Sequence, residues 1–459
     1  MRAAIPFLLL AALAGCSLPG AERPADPALP AAFAASPRVP VKEMPGERWW
    51  TAFADPALDG LVADALAANN DLAAGVQRVA QSRAQLRVAG SSRLPQADGS
   101  GSLSRDYTER TSGSSRSGGS SYSTSGSAGL SISYEVDLFG ANRAAEASAQ
   151  ASYESQRFAL RTLALAVQAD TAAGYLDLLA AREQLAVARD NLAAQERVLQ
   201  LVETRYEQGA VSGFDLTRQR SAVASARARI PALEETVSRL GNALAILLGR
   251  PPEGFAVAEA DLFALLLPGY ATGLPADLLL RRPDLLAADA DLRAADADIS
   301  AARAAFYPRL DLSAAFSGID LTGTPGIAAS IASGLTAPIF SAGRLEGSLQ
   351  GAEARHAELV SVYRQRILTA LSEVEDALLA AGSADRQEEL YRLAAEQAAQ
   401  ALQAAEARYA TGAEDLLSVL DAQRALLDAN ANLVSARQAR LTASVDLVRA
   451  LGGGWTPDV

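Results

Sequence analysis

The chain of 459 residues carries 53 acidic against 41 basic side chains, a net charge of −12, which excludes the basic stripe that a nucleic-acid partner requires. Hydrophobic residues make up 49% but aromatics only 5%, an economy of alanine and leucine that suits long, closely packed helices and excludes a single aromatic-rich core. The lone cysteine, Cys16, excludes an intramolecular disulfide.

Residues 1–15 begin with a positive charge at Arg2, run apolar from Ile5 to Leu13, and end in Leu13-Ala14-Gly15 before Cys16. This reads as a signal peptide closing in a lipobox; the alternative is an ordinary signal peptide that happens to end near a cysteine. A lipobox resembles the bacterial lipoprotein pattern, which implies cleavage before Cys16, acylation of its thiol and, with Ser17 in place of an aspartate, sorting to the outer membrane. No later stretch reaches the ~18 uninterrupted apolar residues of a membrane-spanning helix.

Residues 16–50 are rich in Pro, Ala and charge without a period, and are expected to form an extended, lipid-anchored tether. Trp49, Trp50 and Phe53 follow, and the two tryptophans read as packing residues rather than a ligand platform. Asp55-Pro56 then starts a helix, with Asp as cap and Pro at the first position, and a helical pattern runs to about Arg93. After Leu94-Pro95 a β-hairpin is expected over 94–139. Its return strand, 127–139, alternates Leu130, Ile132, Tyr134, Val136 and Leu138 with Ser131, Ser133, Glu135 and Asp137, the period of a strand with one apolar face. The glycine- and serine-rich stretch 111–121 between the strands reads as an exposed loop.

Two rods follow, over 141–206 and 214–249. The first carries Leu178, Leu185, Leu192, Leu199 and Tyr206 seven apart, and the second Leu216, Val223, Ile230, Val237 and Leu244, as two antiparallel coiled-coil helices would. Pro231 inside the second rod is expected to kink it or mark an irregularity. Residues 251–283 have no long period and read as a compact connector. From there the plan repeats: helix 284–306, hairpin 309–340 with a tight turn at Gly323–Gly326, rods 342–409 and 416–451, and a tail from 453 to 459. Adding 204 to the apolar positions of the first return rod gives Leu420, Leu427, Val434, Leu441 and Val448, all apolar. The fold class expected is therefore mixed α and β, mainly α, with two copies, 51–250 and 284–452, of helix, β-hairpin and long coiled-coil helices.

Each copy offers two strands. A sheet in hydrocarbon must close on itself, and bacterial barrels begin at about eight strands, so hairpins that enter a membrane do so only as an oligomer; the alternative is a soluble sheet packed on the rods. Enzyme chemistry lacks parts, with one histidine, His356, in mid-rod and no phosphate-cradling glycine motif or paired Cys/His spacing. No cofactor or metal is expected.

The stretches RWWTAFADPALDGLVADAL, SISYEVDLFGANRAA, RRPDLLAADADLRAADADISAARAAFYPRLDLS, APIFSAGRLEGSLQ, RYATGAEDLLSVLDAQR and the closing ALGGGW together resemble the TolC-like outer-membrane efflux family, in its lipidated OprM/NodT-like branch. The resemblance covers about Gly46 to Trp455. It implies a homotrimer whose strands form a twelve-stranded β-barrel in outer-membrane lipid, with the rods forming a periplasmic α-barrel. It further implies a passive exit duct met by a periplasmic adaptor (membrane fusion protein) and an inner-membrane RND-type pump. The family closes its entrance with rings from the last helix pair. The matching positions in LLSVLDAQR are Leu417 as an apolar constriction and Asp421 with Arg424 as gating ion pairs. By spacing alone, Asp421 and Arg424 equally describe a solvated surface pair. The TolC branch carries a basic residue near the turn where this chain has Glu414. Tyr206 and Tyr409, each three residues before a turn glycine, read as tip packing rather than as gating residues. The competing class is a periplasmic coiled-coil adaptor or structural lipoprotein without a pore, which would show one helical hairpin where this chain has two.

Overall fold

The computed structural model describes residues 29–34, 45–109, 120–271, 275–318 and 326–455. Cys16, most of the stretch 111–121, and the tight turn up to residue 325 lie outside the described residues. The elements, in order, are α1 (Pro56–Ala68), α2 (Asn70–Ser91), β1 (Gln96–Glu109), β2 (Ser120–Val136), α3 (Ala141–Glu207), α4 (Gly213–Leu247), α5 (Leu278–Arg281), α6 (Pro283–Ala304), β3 (Arg309–Gly318), β4 (Ile327–Thr336), α7 (Arg344–Ala410) and α8 (Leu416–Ala450). Helix dominates, and among the described residues no helix is long and apolar enough to cross a membrane. The chain divides into two compact units.

One unit, built from 78–157 and 287–363, holds the sheet. Its four strands lie in the order β1-β2-β3-β4, every pair antiparallel. The register places Leu130 opposite Phe316 and Ile132 opposite Ala314, with Ala314 in turn opposite Ile331. Leu103, Tyr107, Tyr122, Leu310, Leu312 and Leu335 share this apolar face. The chain leaves it uncovered: Ile331 is 91% exposed. The other face is serine-lined, with Ser102 and Ser127 hydroxyls 2.9 Å apart and those of Ser104 and Ser125 2.7 Å apart. β2 begins at Ser120, earlier than its alternation announces, because Thr124, Gly126 and Ala128 on its apolar face are too weakly apolar to show the period. Below the sheet, Tyr307 stacks on Phe139 at 4.7 Å between ring centres, so the FYP and LFG motifs meet. Arg93 pairs with Glu146, Arg293 with Glu154 at 2.6 Å, and His356 Nε2 with Asp296 at 3.0 Å.

The other unit comprises 27–77, 158–286 and 364–459. Its core gathers Trp49, Trp50, Phe53, Tyr175, Leu176, Leu244, Tyr270, Leu441 and Val448. The tryptophans are packing residues, and Trp49 Nε1 donates to Gln168 Oε1 at 3.1 Å. Asp55 caps α1 by accepting from the Ala57 amide and takes the Tyr175 hydroxyl at 2.6 Å; burial, then that bond, pushes the Tyr175 phenol well above its usual range. The connector is tied to the rods by two arginines: Arg182 donates to the Val257 and Ala258 carbonyls, and Arg437 to those of Leu262 and Leu265.

The single helix expected from Pro56 to Arg93 is two helices. Asn69, extended at ψ 126, ends α1 and caps α2, its Oδ1 accepting from Asp71 N and Leu72 N. Its Nδ2 donates to the last-turn carbonyl of Leu247 in α4 at 2.9 Å. Arg282 stands in the same place before α6 and donates to the equivalent carbonyl, Ala450 in α8, at 3.1 Å. It also binds Asp284 through both oxygens and Glu373 at 2.5 Å, which accounts for the RRPD motif. The glycines of ALGGGW serve the same junction: at Gly452 (φ +90) a Cβ would stand 3.0 Å from Arg282 Cα.

The halves match closely. α2 and α6 have 22 residues each, α3 and α7 have 67, α4 and α8 have 35. Helix starts and turn glycines from Gly140/Gly343 to Gly249/Gly452 fix the offset at 203, one less than the apolar match suggests. An apolar stripe is several residues wide, so Val419-Leu420 and Leu433-Val434 satisfy either count. The heptad of α3 also drifts. Leu178 and Leu185 are buried, but toward the turn Val198 and Val202 are buried in place of Leu199 and Tyr206, as the ~20° lag per heptad of a straight helix dictates. α4 is helical on both sides of Pro231.

Candidate functional site at the helical turns

The turns that join α3 to α4 and α7 to α8 are built alike. In the first, Gly209 (φ +71) donates to Tyr206 O and Ala210 to Arg205 O; in the second, Gly412 (φ +77) donates to Tyr409 O and Ala413 to Arg408 O. These are Schellman ends, which require the left-handed glycine. Each return helix is capped by an oxygen side chain: Ser212 with Asp215 in a capping box, Asp415 accepting from Ser418 N at 2.9 Å. The Ser418 amide and hydroxyl, with the nearby Arg218 charge, hold the Asp415 carboxyl below its ordinary range.

The two turns differ in their side chains. Tyr206 is 46% exposed while Tyr409 is 4% exposed, inside an apolar cluster with Val198, Val202, Leu216, Leu402, Val419 and Leu420. Arg205 reaches from the first hairpin to the second. Its guanidinium lies 4.5 Å from the centre of the Tyr409 ring and donates to the Tyr409 and Ala410 carbonyls at 2.8 and 2.9 Å, a cation on the open end of α7. Its counterpart Arg408 stays in its own turn, 3.1 Å from Glu414, which also accepts from Ser418 Oγ. Glu414 is thus held within its own turn.

Leu417, Asp421 and Arg424 share one exposed face of α8, opposite buried Leu416, Val419, Leu420 and Gln423. Asp421 and Arg424 stand 3.6 Å apart with side chains 59% and 72% exposed, a solvated pair within one chain. The equivalent positions on α4 are Phe214, Arg218 and Ser221, so a bare aromatic matches Leu417 and a cation matches Asp421. Arg218, Arg229 and Arg424 line an open groove of about 490 Å³ with Phe214, Gln195 and Leu427. One layer deeper, Gln219 is fully buried and donates to both the backbone and the side-chain oxygen of Gln195, at 2.8 and 3.0 Å. Sequence reasoning missed Arg205, Arg218 and the glutamines; for Arg205 the only available signal was its place beside the Tyr-x-x-Gly turn. Among the described residues no cluster of His, Cys, Asp and Glu could hold a metal ion.

The family model described as "Outer membrane efflux protein" matches residues 61–250 and 274–453. The pyoverdine export outer membrane protein OpmQ of Pseudomonas aeruginosa is 39% identical over 419 residues, 90% of this chain and 88% of that one. The toluene efflux pump outer membrane protein TtgF of Pseudomonas putida is 36% identical, covering 98% of this chain and 96% of that one. The crystal structure of the open state of the Neisseria gonorrhoeae MtrE outer membrane channel superposes with a TM-score of 0.82 at 29% identity, over 95% of this chain and 98% of that one.

Proposed function

The chain belongs to the outer membrane efflux protein family, is the outer-membrane channel of a tripartite efflux system, and from that premise we propose how it assembles, closes and is held. Three copies close one twelve-stranded barrel in outer-membrane lipid, and their rods form a periplasmic duct. The observation that carries this reading is the sheet itself. It has one uncovered apolar face, one serine-lined face, and free edges on β1 and β4. A sheet edge cannot face hydrocarbon, so closure must come from further copies.

The duct takes cargo from an inner-membrane RND-type pump through a periplasmic adaptor that meets the helical turns. Leu417 narrows the entrance, and Asp421 and Arg424, exposed within one chain, find their partners in the neighbouring copy, where Arg218 on α4 is available to Asp421. Cys16 is the lipid attachment point. Relatives named for pyoverdine and for toluene are chemically far apart, so the duct passes what its pump delivers and cargo choice lies outside this chain.

Single-channel conductance of the purified protein in planar bilayers tests the reading. Small currents in the wild type that grow severalfold in Asp421→Ala/Arg424→Ala support both pore and gate. Equal currents in the two would remove the gate residues, and silence from folded trimers at every potential would remove the pore.

A further inference from the structure

The second hairpin contains a polar group that the packed arrangement leaves unanswered. Gln423 in α8 is 2% exposed, yet neither its Oε1 nor its Nε2 has a hydrogen-bond partner among the described residues. In the first hairpin the nearby buried amide, Gln219, whose place in the second is Ala422, one residue before Gln423, donates through its Nε2 to Gln195 on α3, while its Oε1 has no partner among the described residues. On α7 the place of Gln195, 203 residues on, is taken by Ala398, whose side chain accepts nothing. The hydroxyl of Tyr409, also in this hairpin, is buried without a partner as well. A neighbouring copy cannot answer Gln423, because as packed almost none of its surface is accessible.

The α3–α4 hairpin therefore gives its buried amide two hydrogen bonds through Nε2, and the α7–α8 hairpin gives the buried amide of Gln423 none. A buried amide without partners weighs against the state that buries it, by roughly ten- to a hundredfold in a two-state equilibrium. We propose that Gln423 is a release residue: its unanswered amide disfavours the packed arrangement of the α7–α8 hairpin, and the hairpin's departure, which gives that amide water, opens the entrance. This rests on the turns being the duct's entrance, as argued above. It adds an internal bias toward opening, located in a residue that touches neither cargo nor the exposed ion pair.

The test is Gln423→Met, which keeps volume and flexibility and removes the amide, beside Gln219→Met as control, both in the full-length protein. Two quantities are read: amide hydrogen exchange over residues 416–423, and the open fraction in planar bilayers. In Gln423→Met, exchange should slow about tenfold and the open fraction should fall about tenfold. Gln219→Met, which loses two real hydrogen bonds, should speed exchange around residues 195 and 219 and not lower the open fraction. Unchanged or faster exchange in Gln423→Met would overturn the proposal, as would slower exchange with an unchanged open fraction. Slowed exchange in a protein that passes no current even as wild type would sink the entrance reading instead, leaving the hairpin's release in place.

Discussion

Asn69 and Arg282 occupy equivalent places and answer equivalent carbonyls, Leu247 and Ala450, with different chemistry. Asn69 also caps α2, so Asn69→Ala removes a cap and orphans a carbonyl, a loss of about 2 kcal/mol that thermal unfolding should register as a lower midpoint. Arg282→Ala should cost more, since buried Arg282 joins α6, α7 and α8 through Asp284, Glu373 and Ala450, and the lysine variant should rescue little because the fork is lost. Neither role could be read beforehand: RRPD stood out as a string, but which carbonyl an arginine answers is decided by distant chain. At the second turn, Asp415 contributes through its ionised form. Its carboxyl is held below the ordinary value of 3.8, so its stabilisation is present above that value and is lost as pH falls through the lower folded one. Amide exchange at Leu416–Val419 should therefore quicken on acidification below about 3.8, and Asp415→Asn should flatten that dependence.

At the scale of elements, strand and helix were legible wherever one face is plainly apolar. Leu310, Leu312 and Phe316 against Asp311, Ser313 and Ser317 announced β3 through its period. The start of β2 was hidden because glycine and alanine hold its apolar face, and the break at Asn69 was hidden because alanine-rich sequence on both sides reads as helix. The turns were visible as glycines, but their difference was not, since Tyr206 and Tyr409 sit in near-identical strings. The sheet's two faces make a sharp contrast testable. Ile331→Arg places a charge on the uncovered apolar face and should cost about 2–4 kcal/mol if it lies near the bilayer midplane, seen as loss of oligomer from outer-membrane fractions. Ser330→Arg, one residue away on the serine-lined face, should leave assembly intact.

For the molecule as a whole, the free edges of β1 and β4 decide what a single chain can be. Cysteines introduced in pairs along β1 and β4, between Ser100 and Ser104 and between Ala328 and Ala332, should give disulfide-linked dimers and trimers in outer membranes for one register and none for the others; linkage within a single chain would contradict closure by copies. The sequence showed the duplication but set it one residue out; the turn glycines correct it, and the paired helices have identical lengths of 22, 67 and 35 residues. Those lengths act as a gauge. One residue added to α3 alone would move Arg205 along its axis by about 1.5 Å and swing it by about 100°, away from the end of α7. A lineage that needs a longer or shorter reach must therefore alter four helices together, and its ducts can differ in length only by concerted steps, much as matched columns under one beam are recut as a set or not at all.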